Sequence, residues 1–181
     1  MLYNKTMLIL ASQIHDAPIL SILNGHPVAT AGKMLINADK LEVAALFCKS
    51  PGWRGYDHVL LLRDIREYSH SGIIIDSLED IEDIGEIIRL GDIVERDYQV
   101  VGKPVVTESG HKLGKAEDYS VDSGNNLIQK IYIRPSLLKN LMVNNIVIDR
   151  TNIIKAEDDK ITVSDASLKT PAKAKIAPVA A

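Results

Sequence analysis

The chain has 181 residues, 46% of them hydrophobic, and a net charge of −3, which is enough for one globular domain or two small ones. A charge this small and of this sign argues against a protein that coats nucleic acid. The single cysteine, Cys48, excludes an intrachain disulfide and a cysteine-based zinc site, and aromatics at 4% leave the cores to Ile, Val and Leu.

In chain order, the apolar patch Met7-Leu8-Ile9-Leu10 is too short for a secretion signal. No stretch approaches the ~18 to 20 apolar residues of a membrane span, so a soluble, cytoplasmic protein is expected. Asn24-Gly25 is a hairpin signal. Residues 26–30 read as a short strand, Gly32-Lys33 as a turn and 34–47 as a longer β stretch. Cys48 ends the apolar run Val43-Ala44-Ala45-Leu46-Phe47 and reads as a small buried hydrophobe. After a loop comes the unbroken run His58-Val59-Leu60-Leu61-Leu62, a buried strand. Residues 63–69 read as a helical turn, and Ile73-Ile74-Ile75 as a strand, being β-branched throughout.

The period then changes. Ile84, Ile87 and Ile88, with acidic residues between them, predict a connecting amphipathic helix over 80–90. The acids Glu79, Asp80, Glu82, Asp83 and Glu86 lack the ligand alternation and central glycine of a calcium loop, and read as a solvated face. Beyond it, 104–107 and 112–121 read as strands around Glu108-Ser109-Gly110. Asp122-Ser123-Gly124-Asn125-Asn126 is turn chemistry, and 127–133 alternates as a strand should. Pro135 opens a short helix through Leu138 and Leu141. A strand at 146–149 and a closing hairpin, 153–156 with 160–163, complete the half.

The two halves repeat each other. Asn24-Gly25-His26-Pro27-Val28 returns as Val101-Gly102-Lys103-Pro104-Val105, an offset of about 77 residues. Gly32 to Ala38 matches Gly110 to Ala116, and Ile73-Ile74-Ile75-Asp76 matches Ile146-Val147-Ile148-Asp149. Read this way, the first copy carries about five extra residues, assigned to the loop 50–57, and has exchanged its closing hairpin for the acidic helix.

With Gly102-Lys103-Pro104-Val105, Gly110-His111-Lys112-Leu113-Gly114-Lys115-Ala116-Glu117-Asp118 and the strands Ile146-Val147-Ile148-Asp149 and Ile153-Ile154-Lys155-Ala156, residues 101–163 resemble a PRC-barrel domain. That module is shared by the photosynthetic reaction centre H subunit and the ribosome maturation factor of the small subunit. Residues 21–83 look like a more divergent copy. The resemblance implies a mainly β fold of two small PRC-type β-barrels in tandem, joined by a short connecting helix. The domains expected are 12–90 and 91–166, followed by a disordered Lys/Ala/Pro tail over 167–181, whose composition offers too little apolar surface to fold. It brings no catalytic residues with it.

The residues themselves carry no catalytic or metal pattern. The five histidines show no close ligand spacing. Gly110-His111-Lys112-Leu113-Gly114-Lys115 has one residue too few for a phosphate loop and Ala116 where Ser or Thr is needed. No nucleophile elbow accompanies any Ser. The expectation is therefore a non-enzyme without cofactor or metal, acting as a scaffold or adaptor for a protein partner, with ribosomal or membrane-complex association as the two settings the resemblance offers. A ribosome maturation role and an enzyme with an unrecognised site are the alternatives. The candidate partner-binding residues are Trp53, Arg54 and Tyr56 in the loop 50–57, the residue types that dominate binding hot spots. The competing reading is that Trp53 folds back to plug the barrel end.

Overall fold

The computed structural model describes residues 7–53, 55, 57–135 and 146–166. The helix expected through Leu138 and Leu141 and the tail 167–181 lie outside them. The described residues form two sheets. The first contains β2 (Pro18–Ser21), β3 (His26–Asn37), β4 (Glu42–Lys49), β5 (His58–Leu61), β6 (Glu67–Ser69), β7 (Gly72–Ile75) and β8 (Ile81–Asp83). Its hydrogen-bonded order is β6-β7-β2-β3-β4-β5-β8. The second contains β9 (Pro104–Thr107), β10 (Lys112–Asp122), β11 (Ile128–Pro135), β12 (Ile146–Asp149), β13 (Ile153–Ala156) and β14 (Ile161–Val163), in the order β12-β11-β10-β9-β14-β13. Strand β8 aside, the two orders are the same path, with β7 parallel to β2 and β14 parallel to β9. The fold is mainly β, as the sequence predicts.

The equivalence holds residue by residue, but not where the sequence match places it. Ala31 exchanges hydrogen bonds with Asp16 and Ala17 as Ala116 does with Gly102 and Lys103. Ile19 pairs with Ile73 as Val105 does with Ile161. The buried hydroxyls Ser21 and Thr107 fall at matching positions. The counterpart of Gly102-Lys103-Pro104-Val105 is therefore Asp16-Ala17-Pro18-Ile19, and the offset is about 85 residues. Likewise β7 corresponds to β14, and β12 to β5. The closing hairpin is thus present in the first half as β6–β7, where a helical turn was expected; only Leu62–Asp64 forms a 3₁₀ turn. The loop 50–57 corresponds to the longer connection 136–145 and is not an insertion.

Gly32-Lys33 proves to be a β-bulge inside one long strand. Three steps from Ala31 to Met34 face two from Cys48 to Leu46, and a Cβ on Gly32 would stand 3.1 Å from the Phe47 carbonyl oxygen. A second bulge at Ala44 shifts the phase of β4. Outside these, side chains alternate between two cores. Met34, Ile36, Leu46, Cys48 and Leu60 join the main core, whereas Leu35, Ala45, Phe47, Val59 and Leu61 pack against Ile87 and Leu90. Burial on both faces explains why β4 and β5 read as unbroken apolar runs.

The segment covering that outer face is not the helix predicted over 80–90. It runs as a 3₁₀ turn (Leu78–Asp80), β8, and two further 3₁₀ turns (Ile84–Glu86, Ile88–Leu90), and the α-helix starts only at Gly91–Arg96. Short polar side chains divide it: Ser77 Oγ accepts from the Glu79 N–H, and Asp83 Oδ1 from the Gly85 N–H. Ile87 is buried but Ile88 is 93% exposed, as separate turns rather than one 3.6-residue face allow.

The sheets are joined through equivalent pieces. The Val43 N–H donates to the Asn126 carbonyl (2.9 Å) and the Ile128 N–H to the Leu41 carbonyl (2.8 Å). Leu41 and Asn126 both have positive φ, 48° and 61°. Matching residues thus contact each other across the seam, as in an isologous dimer. Arg150 extends its guanidinium to the carbonyls of Lys40 (2.5 Å), Leu41 (3.1 Å) and Ile128 (3.2 Å), and the Tyr119 hydroxyl donates to Met34 Sδ at 3.1 Å. One buried apolar cluster runs through both sheets. A short strand, β1 (Leu8–Leu10), leaves the first half altogether and pairs with Ser120, Val121 and Asp122 of β10.

Candidate functional site

Strand directions bring three connections to one end of the first sheet: the β2–β3 turn, the β4–β5 loop and the exit from β7. The turn is held rigidly. Ser21 Oγ accepts from the Asn24 N–H (3.1 Å) and donates to Asn24 Oδ1 (2.6 Å), while the Ile22 and Leu23 N–H groups donate to the carbonyls of Ile75 (3.0 Å) and Asp76 (2.9 Å). This leaves Ile22 57% and Leu23 79% exposed, and Leu78, two residues beyond Asp76, is 41% exposed. Apolar side chains on a pinned hairpin turn run against the polar chemistry such turns normally carry.

Trp53 lies in the loop at the same end. It is half-buried, packs on the main core and stacks on His58 with ring centroids 4.1 Å apart and 11° between planes. The fold-back reading of Trp53 thus describes its packing. Arg54 and Tyr56 lie outside the described residues. Sequence reading missed Ile22, Leu23 and Leu78, although two large aliphatics immediately before Asn24-Gly25 were a signal in plain view.

The corresponding end of the second sheet is polar. There Glu108 takes the place of Ile22, its N–H donating to the Val163 carbonyl at 3.0 Å, and Ser109 that of Leu23. Ser109 Oγ lies 2.6 Å from Asp165 Oδ1 and 2.7 Å from His111 Nδ1. The hydroxyl is the middle member, so the order differs from a hydrolytic triad, where the imidazole stands between nucleophile and acid. What the contacts accomplish is to tie the β9–β10 turn to the end of β14. Hydrogen bonds from Ser109 and Thr107 hold the Asp165 carboxyl below its usual range.

Between the sheets lies a groove of about 690 Å³ bounded by the Ala38–Leu41 turn and the β13–β14 hairpin. Its two arginines are engaged in structure. Arg96 binds Asp39 (2.8 Å) and Asp158 (2.9 Å), one from each half, and Arg150 holds the three carbonyls described above. Tyr98 is buried beneath Arg96 and Lys103, and among the described residues its hydroxyl has no hydrogen-bond partner.

The geometry defines the class first: a mainly β protein of two topologically matched lobes fused along a pseudo-symmetric seam. A PRC-barrel domain is found at residues 92–168, the lobe of β9 to β14. No curated protein matches the chain. No helix among the described residues is long and apolar enough to cross a membrane, and no group of three or more potential metal ligands occurs among them.

Proposed function

We propose that the chain is a non-catalytic scaffold or adaptor, built of two PRC-type lobes in tandem, that docks a protein partner on the rim of its first lobe. The carrying observation is that Ile22, Leu23 and Leu78 are exposed on turns fixed by hydrogen bonds, at the end of that lobe where the Trp53 loop also lies. Rigid display of apolar side chains lowers the ordering cost of association. The matched strand order and register support descent of the first lobe from the same module. The use of Ser109, His111, Asp165, Arg96 and Arg150 in tying elements together supports a structural reading of the polar clusters.

Two substitutions test this. Leu23→Ser removes an exposed side chain and is expected to leave melting unchanged while abolishing capture of the partner from the native cell. Trp53→Ala opens a gap beside His58 and is expected to weaken capture as well, with a loss of about 1 to 3 kcal/mol in stability. Capture intact in both variants would remove the rim from the reading. The cytoplasmic settings are separated by fractionation: co-sedimentation with small ribosomal subunits places the scaffold in ribosome assembly, and co-purification with a membrane complex places it there instead.

A further inference from the structure

The two lobes provide a comparison within one molecule. At equivalent positions the second lobe carries Glu108 and Ser109 on its rim turn, closed off by Asp165, while the first carries Ile22 and Leu23, open to solvent. The exposed charges described at this end of the sheet have one prevailing sign. Asp57, Asp76, Glu79 and Asp83 are all exposed at this end. The described cations there are Arg66, bonded to Asp76 at 2.6 Å, and Lys49, 4.0 Å from Asp16.

We propose that the first-lobe rim accepts a basic protein segment: a stretch that places an aliphatic or aromatic side chain against Ile22, Leu23 and Leu78 and surrounds it with Lys or Arg facing Asp57, Glu79 and Asp83. This rests on the docking reading above and specifies the partner's chemistry. Apolar contact supplies affinity at the centre of the patch, and the acidic surround sets orientation and rejects acidic partners. Lipid is a poorer match, since anionic headgroups would meet like charge. The second lobe's rim offers no such anchor.

A diazirine analogue of leucine, which keeps the apolar side chain, placed at position 23 of the full chain, with the same residue at position 109 as the control, tests the proposal in the native cell. The expected result is a crosslink at 23 and not at 109, to a peptide rich in Lys or Arg. Glu79→Lys should reduce it at least about fivefold, a modest electrostatic effect, at unchanged melting temperature. In parallel, the purified chain should bind a fluorescent Leu/Lys peptide in preference to its Leu/Glu counterpart, with a preference that fades at high salt. A protein crosslink to a neutral or acidic peptide, insensitive to Glu79→Lys, overturns the basic-segment proposal but keeps the docking reading. A crosslink only to a second copy of this chain, to its own residues 167–181 or to lipid overturns the proposal. Absence of both the crosslink and the peptide preference overturns the docking reading too.

Discussion

Gly114 has φ +152°, and a Cβ there would stand 2.0 Å from the Arg134 carbonyl oxygen, an atom the β10–β11 ladder cannot move. Gly72 is in a similar position against the Pro18 carbonyl, at 2.2 Å. Gly114→Ala is therefore expected to lose about 3 kcal/mol or more, since backbone must shift. Gly25→Ala, with φ +69° and open space around it, should lose only about 1 kcal/mol. Urea denaturation of the pair checks this, and equal losses would contradict it. At this scale the sequence was legible where chemistry is local. Cys48 is buried as its apolar run implied, and Asn24-Gly25 makes its turn. Trp53 was harder to place, because whether a loop side chain packs or projects depends on His58, which only the β5 register brings beneath it.

At the scale of elements, the informative failure is the alignment of the halves. Gly, Pro and Lys recur in any set of β turns, so Asn24-Gly25-His26-Pro27 resembled Gly102-Lys103-Pro104 without being its counterpart. Hydrogen-bond register settled the match through pairs as dissimilar as Asp16 and Gly102, alike only in their positive φ, 62° and 88°. The helix expected over 80–90 failed for a related reason. Isoleucines at helical spacing also suit a covering segment of short turns, and Ser77 and Asp83 cap those turns one by one. No pattern within either half could announce Arg150, whose acceptors lie on the seam. Arg150→Ala should lose about 2 to 3 kcal/mol by stranding those carbonyls. Arg150→Lys should recover little of this, because a single ammonium cannot span the three acceptors. Melting of the three proteins decides the matter; full rescue by Lys would show that charge alone matters there.

For the molecule as a whole, the continuous core makes a shared response to alkali. Burial pushes the Cys48 thiol from 9.0 up to about 12 and the Tyr98 hydroxyl from 10.0 up to about 12, and raises Tyr68 and Tyr119 above their ordinary range. These groups stay neutral in the fold at pH values where the unfolded chain ionises them. A folded pKa above the unfolded one means stability is complete below pH 9 and falls progressively as pH climbs toward 12. The urea midpoint should therefore be lower at pH 10.5 than at pH 8. Trp53 fluorescence, reporting the first lobe, and circular dichroism, reporting both, should shift together. A flat profile would contradict the burial argument, and separated transitions would contradict the single core.

Strand β1 also sets a timetable. Leu8–Leu10 are synthesised about 110 residues before their pairing partners Ser120 to Asp122. At ~5 to 20 residues per second this is a delay of roughly 5 to 20 s. During that interval the first lobe can close, while the backbone groups of Leu8–Leu10 wait without their β10 partners. The fastening of β1 thus belongs to the folding of the second lobe and not to that of the first, although the segment lies directly before the first lobe in the chain.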